Sequence, residues 1–304
     1  MREKIDKKVE TIIFKKLVKL NKFINLTKLI EKDSFSNAEI KTYYKITKYL
    51  LYRVFGSRLG YMHMAISEDN RKSDFNYHPK KISELINEMG AQNVLELGSG
   101  QSANIVYLAK RFPNVSFTGI DLHPSISRKN KRNNISIEER DYHNLKIIKS
   151  DSVDLVYAIE TLCYSTNKQR IYDEVYRVLK KNGIFVVWDG YLGVPRDILT
   201  PRQLLFVNTI ENGFCLDKFE YFGNIKNYEK KFQVLKSENM KEKVLPFAIQ
   251  SSKRVDKYMK FGILFKIFCL IFPKKFINNL APVYLMGNSI THDLSLYYEL
   301  RYKK

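Results

Sequence analysis

Between Asn93 and Asn104 the chain reads Asn-Val-Leu-Glu-Leu-Gly-Ser-Gly-Gln-Ser-Ala-Asn, and this stretch narrows the folds open to it. Val94 to Leu97 set one acid among apolar side chains, as a short buried strand does. Gly98 and Gly100 follow, and Ile105 to Arg111 reads as helix. In an α/β sheet, a strand, a glycine turn and a helix present a backbone loop to a nucleotide at the strand's carboxyl end. Glycine suits that turn because a side chain would hold the ligand away from the backbone. The next strand, Val115 to Ile120, leads into Asp121. An acid about 20 residues beyond such a turn hydrogen-bonds a ribose diol.

Gly98-x-Gly100-x-x-Ala103 also matches the dinucleotide fingerprint, so a nicotinamide or flavin cofactor has to be weighed. Glu96 stands two residues ahead of the turn, where it would repel a pyrophosphate. S-adenosyl-L-methionine has no phosphate, and its ammonium and sulfonium outweigh its one carboxylate. The acid therefore favours the methyl donor.

Val94-Leu-Glu-Leu-Gly-Ser-Gly100 resembles the first motif of the class I S-adenosylmethionine-dependent methyltransferases, and Gly119-Ile-Asp-Leu-His-Pro124 resembles the ribose-binding motif after it. Asp154-Leu-Val-Tyr-Ala-Ile-Glu-Thr-Leu-Cys-Tyr-Ser165 is similar to the family's fourth strand and the loop beyond. Val175-Tyr-Arg-Val-Leu-Lys-Lys-Asn-Gly-Ile-Phe-Val-Val-Trp-Asp189 is similar to the helix end and fifth strand. Two departures stand out: Ser102 occupies the place of a common third glycine, and Lys181-Asn182 replaces the usual Pro-Gly.

The resemblance implies an α/β, Rossmann-like sheet of seven strands, with N-terminal helices and a helical insertion before the last strand. It implies that Glu96, Gly98, Ser99, Gly100, Asp121, Leu122 and Ile159 line the donor site. Asp141 and Tyr142 match the position where the family holds the adenine amine and flanks its ring. Ser57 to Ala65 resembles the segment that folds over the donor, which makes Tyr61 and His63 candidates to close the cleft. The plain alternatives are packing residues at Tyr61 and His63 and a solvated loop acid at Asp141.

Strands are predicted near 93–97, 115–120, 134–139, 153–159, 182–189 and 214–223, with a last one at 294–302. Helices are predicted near 103–111, 125–132, 168–180 and 201–212. Another runs from Pro79 to Met89 with Gly90 as its stop, and one from Ser251 to Phe272 is broken at Pro273. The chain divides into an N-terminal helical cap (1–74), a donor-binding core (75–225), a helical insertion read as a substrate lid (226–288) and a final core strand (289–304). Residues 1–32 are basic, with Ile12, Ile13, Leu17, Val18, Leu20, Phe23, Ile24 and Leu29 suiting one helical face. That face suits either packing on the core or peripheral contact with an anionic membrane.

The formal charge of +20 invites nucleic acid, anionic lipid or an acidic substrate, or reflects compositional bias. Cys163, Cys215 and Cys269 are scattered without metal-ligand spacing, so no metal is expected, and a sparse odd set suits the cytoplasm. The longest apolar run, Phe261 to Phe272, contains Lys266 and is too short to span a bilayer. A soluble chain is expected, with its oligomeric state left open.

Methyl transfer from a sulfonium is an in-line displacement in which positioning and desolvation supply much of the acceleration. A general base is needed only when the acceptor must lose a proton. Glu160, Tyr164, Trp188, Asp189 and Tyr191 fall at the carboxyl ends of the fourth and fifth strands, where an acceptor would lie. Glu160 is the first candidate base, because a partly dry, aromatic cleft raises a carboxyl pKa. It could instead contact the donor or cap a helix. Asp189 and Tyr164 are the further candidates. No Asn/Asp-Pro-Pro-Tyr/Phe tetrapeptide, acidic double loop or metal-binding Asp/Asn set is present. What remains resembles the group that methylates sterols, quinones and polyketides, so the expected enzyme methylates a small, lipophilic acceptor. The alternatives are an RNA methyltransferase using its basic surface, and a membrane-peripheral donor-binding protein without activity. No appended RNA-binding module is evident, so nucleic acid is not favoured.

Overall fold

The computed structural model describes residues 7–32, 34–54, 60–68 and 72–304. The first six residues of the expected N-terminal helix, the Ser57–Leu59 part of the donor-covering segment, and 69–71 of the polar connection lie outside the described residues.

Seven strands form one sheet: β1 (Asn93–Leu97), β2 (Ser116–Asp121), β3 (Ile135–Glu139), β4 (Val153–Ile159), β5 (Leu179–Leu192), β6 (Gln233–Asn239) and β7 (Ser295–Lys303). Their spatial order is β3-β2-β1-β4-β5-β7-β6. The first five are parallel, and β7 runs antiparallel between β5 and β6. The parallel strands read as near-continuous apolar runs because helices cover both of their faces. Leu155 and Tyr157 of β4 join Trp188 on one face, under α4 (Tyr77–Met89) and α5 (Ala103–Arg111). Val156 and Ala158 join Val187 on the other, under α6 (Lys168–Val178).

The N-terminal helices are α1 (Lys7–Asn21), α2 (Leu26–Leu29) and α3 (Asn37–Val54). Beyond β5 come α7 (Pro201–Gly213), then, after β6, α8 (Lys241–Met259), α9 (Ile263–Ile271) and α10 (Lys274–Thr291). Thr200 and Gln203 close a reciprocal capping box at the start of α7, and Pro201 takes the first helical position, where its missing N–H costs nothing. Gly90 ends α4 in the left-handed conformation expected of a stop residue.

The apolar stripe of α1 is committed to the protein. Ile13, Leu17 and Leu20, with Ile24 just beyond the helix, are buried with Phe206, Val207 and Ile210 of α7 and Val255 and Met259 of α8. Most of the face that suited a membrane in the sequence is therefore taken up by the protein, with Val18 of it left exposed. Leu20→Ala should destabilise the chain by about 2–5 kcal/mol, the usual range for emptying such a site. A lowered urea midpoint at an unchanged denaturant slope would register it.

Four sequence expectations are corrected. The segment 214–223 is not a strand. Cys215 takes a left-handed φ of 56°, Leu216 and Phe219 turn into the helical cluster, and only Tyr221 bridges Leu192. The sixth strand is β6, inside the segment read as a helical insertion. It is an edge strand with Val234 and Leu235 exposed, so no buried face marks it. The helix expected at 125–132 is a single 3₁₀ turn, Arg128–Asn130. The long helix expected from Ser251 begins at Lys241 and already breaks at Gly262, where φ is 54°.

Candidate active site

The turn after β1 is held by the end of β2. Gly98 N–H donates to the Ile120 carbonyl at 2.7 Å, and Ser99 N–H to the same oxygen at 3.2 Å. Gly100 N–H donates to Asp121 Oδ2 at 2.9 Å, while His123 N–H donates to Oδ1 at 2.7 Å. A carboxylate accepts about four hydrogen bonds, so Asp121 keeps capacity for a diol. Gly98 has a φ of 72°, and a Cβ there would fall 2.0 Å from Thr161 Oγ1. Ser102, in the place of the common third glycine, has a left-handed φ of 59°. The backbone thus keeps the conformation that glycine usually supplies there.

A cleft of about 1030 Å³, counted out to its open mouth, lies at the carboxyl ends of β1, β2 and β4. Every residue expected at the donor lines it: Glu96, Gly98, Ser99, Gly100, Asp121, Leu122, Asp141, Tyr142, Ile159 and Tyr61. Asp141 accepts at Oδ1 from the His143 backbone N–H at 2.9 Å and lies 2.5 Å from His143 Nδ1. Tyr142 donates its hydroxyl to the Thr161 carbonyl at 3.0 Å. Tyr61 donates to Asn76 Oδ1 at 2.7 Å. Sequence reasoning missed Asn104, His143 and Tyr44 on this wall. Asn104, in the first turn of α5, had the local signal of lying just past the glycines, and His143 that of following Asp141 and Tyr142; Tyr44 comes from the distant α3.

Glu96 is 2% exposed, and burial pushes its carboxyl up to about 8. Asn104 Nδ2 lies 3.0 Å from Glu96 Oε1, and Asn104 Oδ1 lies 3.3 Å from His63 Nε2. Burial lowers the His63 pKa, so the ring is neutral and carries one proton. Nδ1 faces the Met64 carbonyl at 3.0 Å, which can only accept, so the proton sits there and Nε2 accepts. An Asn104 amide turned the other way satisfies His63 Nε2 and a protonated Glu96 together. The sense of this amide follows the charge on Glu96.

Among the described residues, Glu96 Oε2 and Ser99 Oγ are buried and short of hydrogen-bond partners, the Tyr157 hydroxyl beside Glu96 excepted, and both residues line the cleft. Such orphaned acceptors call for a polar ligand with hydrogens to give. The ammonium of S-adenosylmethionine fits beside Glu96, and its ribose fits beside Asp121.

Glu160 closes β4 with a φ of 49°. Its Oε1 accepts from Met64 N–H at 2.7 Å and from the Tyr297 hydroxyl at 3.0 Å, and burial raises its pKa to about 8. Glu160 and Tyr164 line both the cleft and a second cavity of about 700 Å³, whose walls include Leu216, Phe219, Met286, Ile290 and Leu296. Asp189 lines only the second cavity. Its two oxygens accept from the backbone N–H groups of Cys163 and Gly190, at 2.9 and 2.7 Å. Trp188 is fully buried in the sheet core.

Residues 95–187 match the family described as Methyltransferase domain. Methyltransferase phqN of Penicillium fellutanum is 24% identical over 144 residues, covering 45% of this chain and 44% of that protein. A sterol 24-C-methyltransferase of Eremothecium gossypii is 31% identical over 84 residues, covering 28% of this chain and 22% of that protein. The chain thus spans less than half the length of these relatives. A mycolic acid cyclopropane synthase, solved in complex with SAH and CTAB, superposes with a TM-score of 0.70 at 12% identity, over 89% of this chain and 99% of that one. At such identity the likeness is one of fold. With an antiparallel β7 set between β5 and β6, the chain has the fold of the class I methyltransferases, and its residues 95–187 carry the sequence match to a methyltransferase domain.

Proposed function

We propose that the protein moves a methyl group from S-adenosylmethionine to a small, lipophilic acceptor. The observation that carries this reading is the apolar cavity that shares Glu160 and Tyr164 with the donor cleft. A sulfonium, when bound, supplies an activated methyl carbon and a neutral leaving group. The chain's own part is to bind, align and exclude water. Gly98 and Gly100 let the donor approach the backbone, and Asp121 holds the ribose. Leu216, Phe219, Met286 and Ile290 desolvate the acceptor. Glu160 stands at the junction with a carboxyl pKa near 8, so an ionised fraction exists at neutral pH to take a proton from an acceptor that must lose one. Asp189, with its oxygens turned to backbone N–H groups, holds the loop after β4 against β5. The curated relatives named for sterol methylation support a lipophilic acceptor of this kind. The insertion serves as a wall of the acceptor site through Met286 of α10, and the scattered free cysteines suit the cytoplasm.

The test uses purified protein, methyl-labelled S-adenosylmethionine and an extract of the source cell, with an Asp121→Ala control. Label is counted in organic-soluble, RNA and protein fractions. Label in the organic fraction that disappears in the control is expected. Label confined to RNA would overturn the reading and give the positive charge to phosphate binding.

A further inference from the structure

Helix α9 leaves its most apolar face uncovered. Ile263, Leu264, Ile267, Leu270 and Ile271 are 74, 64, 47, 83 and 73% exposed, and Phe261 ahead of the helix is 56% exposed. Positions 263, 267, 270 and 271 fall on one side of an α-helix. The opposite side is anchored: Phe265 is buried and meets the Phe23 ring at 5.1 Å, and Phe268 meets Phe272 at 4.2 Å. With that side packed on the helical cluster, the apolar face points outward. Scattered exposed apolar residues need no explanation, but a contiguous patch with a polar rim marks an interaction surface.

The rim says what kind. From Ser251 to Phe276 the chain carries seven Lys or Arg and one acid, Asp256. That acid is already paired with Lys19 at 2.7 Å. Lys260, Lys266 and Lys274 are exposed around the apolar face. A second copy laid symmetrically on this face would bring like charges together, which is unfavourable. An anionic lipid surface accepts the apolar side chains and the ammonium groups at once. The helix rises only about 13 Å over its length, against roughly 30 Å for a hydrocarbon core. Among the described residues, no helix is long and apolar enough to cross a membrane. We propose that α9 is a membrane-surface anchor, lying in the headgroup region of an anionic bilayer with Ile263, Ile267, Leu270 and Ile271 among the acyl chains. It is distinct from the stripe of α1, and α10 connects it to the acceptor cavity: Lys274 lies about 18 Å along that helix from Met286.

The experiment is co-sedimentation of the full chain with phosphatidylcholine vesicles, and with vesicles containing phosphatidylglycerol, without donor or acceptor. Binding to the anionic vesicles, weakened by salt, is expected. The double variant L270D/I271D should lose about tenfold or more of that affinity, since it replaces two buried apolar contacts with charges the lipid repels. Both positions are solvent-exposed, so unchanged donor affinity and melting temperature will show that the variant is folded. A Leu270→Trp variant gives a second readout, because the only native tryptophan, Trp188, is fully buried. Its emission should shift blue and be quenched by brominated acyl chains. No binding to anionic vesicles, equal binding by wild type and the double variant, or a Leu270→Trp emission insensitive to lipid would overturn the proposal. So would a lipid-independent dimer that L270D/I271D dissociates.

Discussion

Gly98→Ala is expected to cut donor affinity by about a hundredfold or more. That corresponds to roughly 3 kcal/mol, the scale of forcing a strained backbone position. The added methyl would meet three atoms of one rigid, β-branched side chain: Thr161 Oγ1 at 2.0 Å, Cβ at 2.5 Å and Cγ2 at 2.9 Å. It would do so at a φ of 72°, which alanine disfavours. The loop must then move, and with it the Gly100 N–H that orients Asp121. Calorimetric titration with S-adenosylmethionine reads the loss, and a thermal melt shows whether the sheet survives. Adding Thr161→Gly removes all three contacts but not the left-handed φ, so partial recovery should follow. An unchanged affinity in Gly98→Ala would mean that this turn does not shape the donor site.

Donor binding should release a proton near neutral pH, and Glu96→Gln should abolish that release. With a pKa of about 8, Glu96 is mostly protonated at pH 7 in the free protein. An ammonium beside it favours the carboxylate, so the bound state holds fewer protons than the free state. Affinity must then rise with pH below 8, by up to tenfold per pH unit, and level off as the free carboxyl ionises on its own. Titrations in buffers of different ionisation enthalpy measure the proton count directly. At pH 8 the glutamine variant should bind about ten- to a hundredfold more weakly, the worth of one charge-assisted hydrogen bond. Wild-type binding with no proton transfer at pH 6 to 7 would show that Glu96 does not face a cation.

The centre of the parallel sheet was legible because burial on both faces makes β4 and the middle of β5 near-continuous apolar runs. The edge was not. β6 exposes Val234 and Leu235, and its partner strand buries the Glu299 carboxylate, which Lys236 and Arg301 neutralise at 2.9 and 3.1 Å. That pairing involves residues far apart in the chain, and no local pattern announces it. The segment 214–223 misled for the converse reason: its aromatic alternation resembles a strand, yet Cys215 turns the chain so that Leu216 and Phe219 pack among helices. At the site, the glycines and Asp121 were legible because the turn and its neighbouring strand end are local in sequence. The hold on Glu160 was not, since Met64 and Tyr297 reach it from distant parts of the sequence on either side.

β7 fixes the order in which this molecule becomes complete. In the sheet β6 pairs with β7, so residues 233–239 leave the ribosome before their partner exists. The same late strand carries Ser295, Leu296 and Tyr297 to the acceptor cavity and gives Glu160 its hydroxyl donor. A nascent chain has the glycine turn and Asp121 that line the first cleft well before it has the β7 wall of the second cavity. Premature termination anywhere between β6 and β7 removes two strands from the sheet rather than one, since β6 pairs only with β7, and takes from the second cavity the wall that β7 supplies.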